Sequence, residues 1–420
     1  MLSEHRITEL DSGLRIVTEA MPSVRSAALG VFIGTGSAGE SEDEAGLSHL
    51  IEHMLFRGTP RYASLEIDQI FDAMGAELNA GTGKESTSVY TRVLDRHVDR
   101  AFDVIADMVW RPKFDQVELD AEREIVLEEI AMYEDDPQDK VFDVLGGAVF
   151  GEHPLGRAII GRADVVAGTP AGGLAAFHGA RYVPGNVVVA AAGSVDHDQL
   201  VAMVRDSTPE RRAAPEAVHS AVELEARRRF VRKDTEQYHV CLGAPGLARD
   251  DDRRFALRIL DNVLGGTSSS RLFVEIREKR GLAYAVYSFS AQYATTGQVG
   301  LYVGTRPDNV ATAMDIVGTE LEKLRQDGIT AAELERSKDN VKGRILLSLE
   351  STVARMNRLG SSLLAGMPLL DIDELEARID AVSLDDVLGL SRELYAPERL
   401  SVAGIGADEK VFEQALKVAA

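Results

Sequence analysis

The residues with the clearest capacity for chemistry are two histidines four positions apart, His49 and His53, with Glu52 between them. Residues four apart lie on the same face of an α-helix, so both imidazole rings can reach one metal ion. Zinc binds histidine nitrogens well, and a nearby carboxylate can take a proton from water beside the ion. His-x-x-Glu-His is the reversed form of a zinc-peptidase motif. It therefore predicts the hydrolysis of peptide bonds.

The residues that flank the two histidines are nearly all apolar: Leu47, Leu50, Ile51, Met54, Leu55 and Phe56. A helix that is apolar on almost every side is buried. Burial of two imidazoles and a carboxylate is costly unless they are paired or bind a metal. The alternative interpretation is a pair of hydrogen-bonded core histidines beside a salt-bridged glutamate. The spacing alone does not exclude it, because an accidental match is expected in roughly 2% of such chains.

A catalytic zinc site needs three protein ligands and one open position, so another segment must supply the third ligand. Residues 114–136 are predicted to form a helix, because Asp115 is a suitable N-cap and Pro137 follows the end. Three glutamates share the apolar stripe of this helix on a helical wheel: Glu118, Glu122 and Glu129. Glu129 is the candidate ligand, and Glu122 could orient a ligand histidine. The wheel does not choose among the three, and a salt bridge to an arginine would also explain each of them.

With these two segments the chain resembles the pitrilysin-like zinc metallopeptidases, in particular their processing-peptidase-like branch. In that family the histidine motif is followed farther along the chain by a helix that reads Glu-Arg-x-x-x-x-x-Glu. The matching helix here has Glu122, Arg123 and Glu129 at those positions. The resemblance implies that His49, His53 and Glu129 are the Zn²⁺ ligands. It also implies that Glu52 is the catalytic base and that Glu122 is a supporting acid.

A second match is Asn79-Ala80-x-Thr82-x-x-Glu85, which resembles the family's strand along which the substrate backbone aligns. The resemblance implies that Asn79, Ala80 and Glu85 bind substrate. Similar stretches run from about residue 8 to about residue 400, so the resemblance covers nearly the whole chain.

A third match lies in the second half, where Arg277 and Tyr284 resemble the family's Arg and Tyr placed seven apart. In relatives these residues reach the zinc site of the first domain, where they hold the substrate and the developing oxyanion. Relatives enclose unfolded peptides in a chamber of four such domains. Because this chain supplies two, the resemblance implies a homodimer that binds extended peptides in a closed chamber. The alternatives are a heterodimer with a degenerate partner and a non-catalytic peptide-binding or assembly subunit.

The second half reads as a faded copy of the first. When the numbering is shifted so that Gly58 lies on Gly266, a shift of 208, His49 falls on Leu257 and His53 on Asp261. The copy keeps the helix and loses the metal ligands. A chain of 420 residues is also too long for one compact core.

The predicted organisation is a zinc-bearing catalytic domain over residues 1–208, a linker over 209–232, and a degenerate repeat domain over 233–420 that supplies the Arg/Tyr pair. The linker assignment rests on its prolines and on the Arg227-Arg228-Arg229 triplet. The predicted fold class is α+β, with two similar domains, each a mainly antiparallel sheet with helices packed on one face. The resemblance implies the same.

Hydrophobic periodicity and breakers predict the individual elements. They are a strand over 26–33, a helix through the metal motif to about 57, a helix over 65–74 that stops at Gly75, strand-like alternation over 77–94, a helix over 96–110 and a strand over 186–192.

Composition limits the remaining function classes. The net charge of -22 and the lack of a large basic patch argue against a nucleic-acid partner. The negative charge either serves solubility or attracts basic peptides. The single cysteine, Cys241, is expected in a buried strand position and fits a reducing compartment. Without a signal-like segment or an apolar run long enough to span a bilayer, a cytoplasmic protein with no membrane partner is expected.

Overall fold

The computed structural model describes residues 5–210, 213–215, 221–223 and 225–419. Its strands are His5–Glu9 (β1), Arg15–Ala20 (β2), Ser26–Ile33 (β3), Glu77–Thr82 (β4), Thr87–Leu94 (β5), Val187–Gly193 (β6), Arg228–Arg232 (β7), Tyr238–Gly246 (β8), Ala283–Gln292 (β9), Gly297–Thr305 (β10) and Ser401–Gly406 (β11). The strands form a six-stranded sheet in the order β1-β2-β6-β3-β5-β4 and a five-stranded sheet in the order β7-β11-β8-β10-β9.

The helices begin and end at the following residues: Leu47–Leu55 (α1), Ser64–Met74 (α2), Val98–Trp110 (α3), Gln116–Asp135 (α4), Pro137–Phe150 (α5), Ala163–Gly168 (α6), Ala171–Arg181 (α7), His197–Ser207 (α8), Arg254–Leu264 (α9), Val310–Asp327 (α10), Ala331–Ser348 (α11), Thr352–Leu364 (α12), Ile372–Asp380 (α13), Leu384–Leu394 (α14) and Glu409–Ala419 (α15). A π-helical segment, Phe273–Glu278, precedes β9. Among the described residues, every helix is either too short or too polar to cross a bilayer.

The two sheets repeat one strand order, which confirms the internal repeat predicted from the sequence. Strands β2 to β6 correspond in order to β7 to β11. The pairs β2–β6 and β7–β11 are both parallel, and each of the other corresponding pairs is antiparallel. The α+β class with two similar, mainly antiparallel sheets is therefore confirmed. The first sheet has an additional antiparallel edge strand, β1.

The first sheet has a buried core on each of its faces. In β3, Leu29 and Val31 join the core that contains α1 and α3, whereas Phe32 packs with Met356 and Leu359 of α12 on the other face. Alternating side chains of a strand point to opposite faces, so a strand that is apolar throughout needs cover on both sides. The prediction that helices pack on one face is therefore wrong for this sheet, because a helix from far along the sequence covers the second face.

The chain forms two compact units that exchange helical segments. The first unit comprises the described parts of residues 1–130, 158–218 and 346–371, and the second those of 131–157, 219–345 and 372–420. All strands of the first sheet precede residue 194, and all strands of the second follow residue 227. The exchanged segments carry α5, which packs on β8 and β11, and α12, which packs on β3 and β6. Each sheet thus receives one helix from the other half of the sequence.

The sequence suggested that the arginine triplet, Arg227-Arg228-Arg229, lies in a connector, but two of the three arginines belong to a strand. Arg228 and Arg229 belong to β7, which pairs in parallel with β11. The prediction failed because it read charge as a sign of irregular chain. In β7 the packing comes from Phe230, whose ring lies 5.1 Å from that of Phe412, while the arginines stay exposed at a sheet edge. The rest of the predicted linker lies partly outside the described residues.

Most of the predicted elements match the structure closely. The strand over 26–33 is β3, and the helix over 65–74 ends at Gly75, whose φ of 64° is left-handed. Glycine adopts that conformation without a steric penalty, which explains the stop. Asp115 caps α4 as predicted, because its Oδ1 accepts a hydrogen bond from the amide of Val117 at 2.9 Å. Cys241 is fully buried in β8.

A buried histidine in the first unit should make the stability depend on pH. His178 of α7 donates from Nε2 to the carbonyl of Val109 and stacks on Tyr182. Burial lowers its pKa to about 4, although the bond to Val109 opposes the shift. The unfolded chain, with a histidine pKa of about 6.5, binds this proton first, so stability is lost as the pH falls from about 6.5 towards 4.

Between pH 4 and pH 7, we expect the free energy of unfolding of His178→Gln to change by about 3 kcal/mol less than that of the wild type. The reason is that glutamine keeps a donor for Val109 but does not titrate. Urea unfolding of both metal-free proteins between pH 4 and pH 7 measures the difference. If the free energy of unfolding changed equally with pH in the two proteins, His178 would not be the cause of the pH dependence.

Candidate metal centre

Helix α1 holds the two motif histidines, and a buried carboxylate fixes where the helix starts. Gly46 precedes the helix with φ 105°, a conformation that L side chains rarely adopt. Glu40 accepts a hydrogen bond from the amide of Gly46 at 2.9 Å and one from the amide of Ser48 at 2.7 Å. These amides belong to the first turn, where no intrahelical acceptor is available. Glu40 therefore does the work of a capping side chain from outside the helix.

The ring nitrogens of the two histidines and one carboxylate oxygen meet at a single point. His49 Nε2 lies 3.2 Å from His53 Nε2. Glu129 Oε2 lies 3.7 Å from His49 Nε2 and 3.6 Å from His53 Nε2. Of the three glutamates left open on the wheel, Glu129 is thus the one placed against both rings. In the described part of the chain, Glu118 joins no comparable group of ligand side chains.

These separations fit a zinc ion. Ligand bonds of about 2.0–2.1 Å in a tetrahedron hold their ligand atoms about 3.3–3.4 Å apart. The alternative of paired core histidines accounts for the contact between the rings alone and leaves the approach of Glu129 unexplained. It also required a salt-bridged Glu52, whereas Glu52 is bound by Thr82, whose hydroxyl lies 2.5 Å from Oε2 and whose backbone amide also bonds to the carboxylate. Two imidazoles with one carboxylate are a common donor set for catalytic zinc.

The two histidines have different surroundings. His53 Nδ1 lies 2.7 Å from Glu122 Oε1, and the second oxygen of Glu122 forms an ion pair with Arg57. The Glu122 side chain is 4% exposed. His49 Nδ1 is buried and has no hydrogen-bond partner among the described residues. A carboxylate on the far nitrogen of a ligand histidine fixes its tautomer and increases its basicity, so Glu122 is placed to do this for His53 alone.

Burial sets the protonation states of the metal-free centre. Desolvation, with the nearby His53, lowers the pKa of His49 to about 4, so this ring is neutral at pH 7. Burial opposes protonation of His53, but its hydrogen bond to Glu122 prevails and raises its pKa. Burial likewise opposes ionisation of Glu122, yet the bonds to His53 and Arg57 lower its pKa. Burial raises the pKa of Glu52, against the hydrogen bond from Thr82.

The predicted substrate strand is β4, the last strand of its sheet. It pairs with β5 on one side, and no other strand of the sheet lies on its outer side among the described residues. Helix α1 packs against it, and Thr82 at its end bonds to Glu52. Asn79 is exposed and Ala80 is half-buried on this strand. Glu85 lies in the turn between β4 and β5, so it belongs to the hairpin without belonging to the edge.

The predicted Arg/Tyr pair lies in the second unit. Arg277 donates from Nη1 to the backbone carbonyl of Tyr284 at 3.0 Å, and its guanidinium lies 4.5 Å from the centre of the Tyr284 ring. Tyr284 is 77% exposed, on the edge strand β9. The two residues therefore form one local group whose phenol is free to contact a ligand.

Sequence reasoning missed three residues that support the centre: Glu40, Arg57 and Thr82. Glu40 lies before the helix in an irregular segment, and no periodicity marks it. Arg57 stands one turn after His53, a spacing that could have suggested a shared partner. Thr82 was present in the strand motif but was assigned no role.

The fold and the centre define an α+β protein of two repeats in which one repeat carries a two-histidine, one-glutamate site. Residues 15–163 match the family description "Insulinase (Peptidase family M16)", and residues 172–341 match "Peptidase M16 inactive domain". An uncharacterized zinc protease of Streptomyces coelicolor is 42% identical over 410 residues, which cover 96% of this chain and 89% of that protein. One of Bacillus subtilis is 40% identical over 388 residues, 92% of this chain and 95% of that protein.

Solved structures agree on the fold. A protease from Helicobacter pylori has a TM-score of 0.89 at 22% identity and covers 97% of this chain and 100% of its own. A structure from Pseudomonas fluorescens described as a peptidase M16 inactive domain also has a TM-score of 0.89 at 22% identity, and covers 96% of this chain and 98% of its own. The chain belongs to peptidase family M16, as the resemblance to the pitrilysin-like enzymes implied.

The cap on α1 gives a prediction about stability. Glu40→Gln replaces one acceptor oxygen by an amide group that faces a backbone N–H, so we expect the free energy of unfolding to fall by about 1–3 kcal/mol. Urea unfolding of the metal-free protein measures this. The control is Glu42→Gln, which changes an exposed carboxylate nearby and should have an effect within about 0.5 kcal/mol. Equal effects of the two variants would show that the cap contributes nothing.

Proposed function

We propose that this protein is a zinc-dependent endopeptidase that hydrolyses unfolded peptides. The observation that carries the proposal is the convergence of His49 Nε2, His53 Nε2 and Glu129 Oε2 within 3.7 Å of one another. Glu52, on the same helix, stands beside them without being part of the donor set. A structural zinc site would use all four positions, whereas three ligands leave a position open. The names of the Streptomyces and Bacillus relatives support the same activity.

In this proposal each side chain of the centre has one task. His49, His53 and Glu129 would hold Zn²⁺, which would supply Lewis-acid chemistry and make water more acidic when bound. Glu52 accepts a proton from the attacking water on a carboxylate oxygen and passes it to the leaving amine, a role typically worth about 10²–10⁴ in rate. Glu122 orients His53 and increases its basicity.

The substrate would bind as an extended strand on the outer edge of β4. An exposed edge offers backbone donors and acceptors to another chain, and this mode of binding depends little on side chains. Asn79 and Ala80 lie on that edge, and Glu85 lies in the adjoining turn. Because folded proteins seldom present a free extended segment, unfolded peptides are the expected substrates.

Arg277 and Tyr284 are proposed to complete the site. Tyr284 would donate its phenol hydrogen to the oxyanion that develops on the substrate carbonyl, and Arg277 would hold a neighbouring carbonyl. Support comes from the mutual contact of the two residues and from the exposure of the tyrosine.

The quaternary structure and the specificity are also proposals. The chain carries both the zinc motif and the Arg/Tyr pair, which favours a homodimer whose halves enclose the substrate in a closed chamber. The net charge of -22 favours basic peptides. One buried free cysteine fits a cytoplasmic location, where thiols stay reduced.

The second candidate is a non-catalytic peptide-binding or assembly subunit. The match to a domain described as inactive favours it, but that match covers residues 172–341, which contain none of the four residues of the zinc motif and its ligand set. In the second repeat the aligned positions are Leu257 and Asp261, which cannot reproduce the histidine pair.

The decisive experiment is to measure zinc content and cleavage of a quenched basic peptide for the wild type and two variants. Glu52→Gln should keep its zinc and lose at least about 10²-fold in kcat, because glutamine cannot accept the proton. His49→Ala should lose both zinc and activity, because two ligands remain. A matched acidic peptide tests the preference for basic substrates and should be cleaved more slowly.

Glu128→Gln is the charge control, since Glu128 is exposed on the other side of α4. It should behave as the wild type. Full activity of Glu52→Gln would remove that residue from the mechanism, and an inactive, zinc-loaded wild type would favour the non-catalytic subunit.

Glu122 gives a separate prediction about metal affinity. Glu122→Gln removes the charged partner of His53, so we expect zinc to bind about 10- to 100-fold more weakly. Competition with a chelator of known affinity measures this without any substrate. An unchanged zinc affinity would mean that Glu122 serves packing only.

A further inference from the structure

We propose that Thr82 is a positioning residue that holds the Glu52 carboxylate in its working orientation. The inference rests on the proposed peptidase function and adds a residue to it. Its basis is the hydrogen bond from Thr82 Oγ1 to Glu52 Oε2, at 2.5 Å.

The hydroxyl of Thr82 has one proton, and the geometry assigns it to Glu52. Two other acceptors are near, the carbonyl of Ser48 and the hydroxyl of Thr87, but each is 3.5 Å away. A hydroxyl donates a single hydrogen bond, and the closest acceptor is a carboxylate oxygen, which makes it the stronger partner. Thr87 meanwhile donates to the carbonyl of Thr35 at 2.9 Å. The two threonine protons are therefore committed to different acceptors.

The bonds from Thr82 limit how the Glu52 side chain can turn. A glutamate side chain has three rotatable bonds, and without a fixed partner Glu52 could turn away from the centre or become a further metal ligand. The Thr82 hydroxyl holds Oε2, and the backbone amide of Thr82 also bonds to the Glu52 carboxylate, so that both bonds restrain its orientation. Catalysis depends on such placement, since a displacement of about 1 Å can lower the rate about 10²-fold.

The position of Thr82 also links the base to the proposed substrate edge. Thr82 is the last residue of β4 and pairs with Thr87 of β5. A peptide added to β4 would therefore pair with the strand that holds Glu52. The alignment of the scissile bond and of the base would then be set by one element.

A purely structural role is the competing explanation, and the second repeat makes it concrete. There Ser288 of β9 donates to Asp261 Oδ1 of α9 at 2.5 Å. The same kind of strand-to-helix bond thus occurs where the aligned metal ligands are absent. The experiment must separate orientation of a base from attachment of a strand to a helix.

The test compares Thr82→Val, Thr82→Ser and Thr91→Val in zinc-loaded protein. Valine has the shape of threonine without the hydroxyl, so kcat should fall about 10- to 100-fold while KM changes less than about threefold. Serine restores the hydroxyl and should restore kcat to within about threefold. Thr91→Val is the matched control, because Thr91 of β5 donates to the carbonyl of Glu77 in β4 and so joins the same hairpin at a distance from Glu52.

A normal kcat for Thr82→Val, an equal loss of kcat in Thr91→Val, or a failure of serine to restore activity would each overturn the proposal. If the valine variant does not fold, Thr82→Ala replaces it in the same comparison. An inactive wild type would instead overturn the proposed function, and this is known before any variant is compared.

A second readout needs neither zinc nor substrate. In metal-free protein, Thr82→Val should lower the unfolding midpoint by a few degrees when Glu52 is present, because the carboxylate loses its hydroxyl donor. In a Glu52→Ala background the same substitution should cause less than half of that shift. Equal shifts in the two backgrounds would show that the residues are not coupled, and would overturn the proposal.

Discussion

Polar atoms that have been removed from bulk water need a partner, and this constraint organises the first repeat. Helix α1 is buried through Leu50, Ile51 and Met54, so the histidines it carries lose much of their hydration. The surrounding residues replace this hydration for some of the histidine nitrogens and not for others. Glu122 satisfies one nitrogen of His53, and Glu129 approaches the inner nitrogens of both rings. The Nε2 atoms of the two rings and Glu129 Oε2 therefore lie within 3.7 Å of one another, an arrangement that is favourable around a cation. The family relationship and the geometry therefore lead to the same centre by independent routes.

The sequence predicted those parts of the fold whose signals are local. The strand β3, the cap at Asp115 and the stop at Gly75 depend on residues within a few positions of the element itself. The two candidate ligand histidines were found in the same way, since four positions make about one helical turn. The helical wheel alone could not identify Glu129, because three glutamates fit the same stripe. The family resemblance selected Glu129, and the structure places this residue against both rings.

What the sequence could not provide depends on long-range packing. No local pattern states that α12 covers the far face of the first sheet, because its apolar residues would suit any apolar surface. The strand β7 was not predicted for a related reason. Its packing rests on one apolar residue, Phe230, and its arginines leave no alternation of apolar residues that would indicate a strand. Glu40 caps a helix from six residues before Gly46, farther away than any capping rule extends. In each case the partner is set by tertiary structure and not by spacing.

The exchange of α5 and α12 has a consequence for how the chain can fold. A fragment ending near residue 208 would contain every strand of the six-stranded sheet yet lack the helix that covers Phe32 and Val188. The complementary fragment would lack α5 beneath β8 and β11. Each half alone would expose one apolar sheet face to water, so neither is a self-sufficient folding unit. The two repeats resemble a domain-swapped pair that has been joined into one polypeptide. Because they are linked covalently, α5 and α12 are always exchanged within one chain, one helix in each direction.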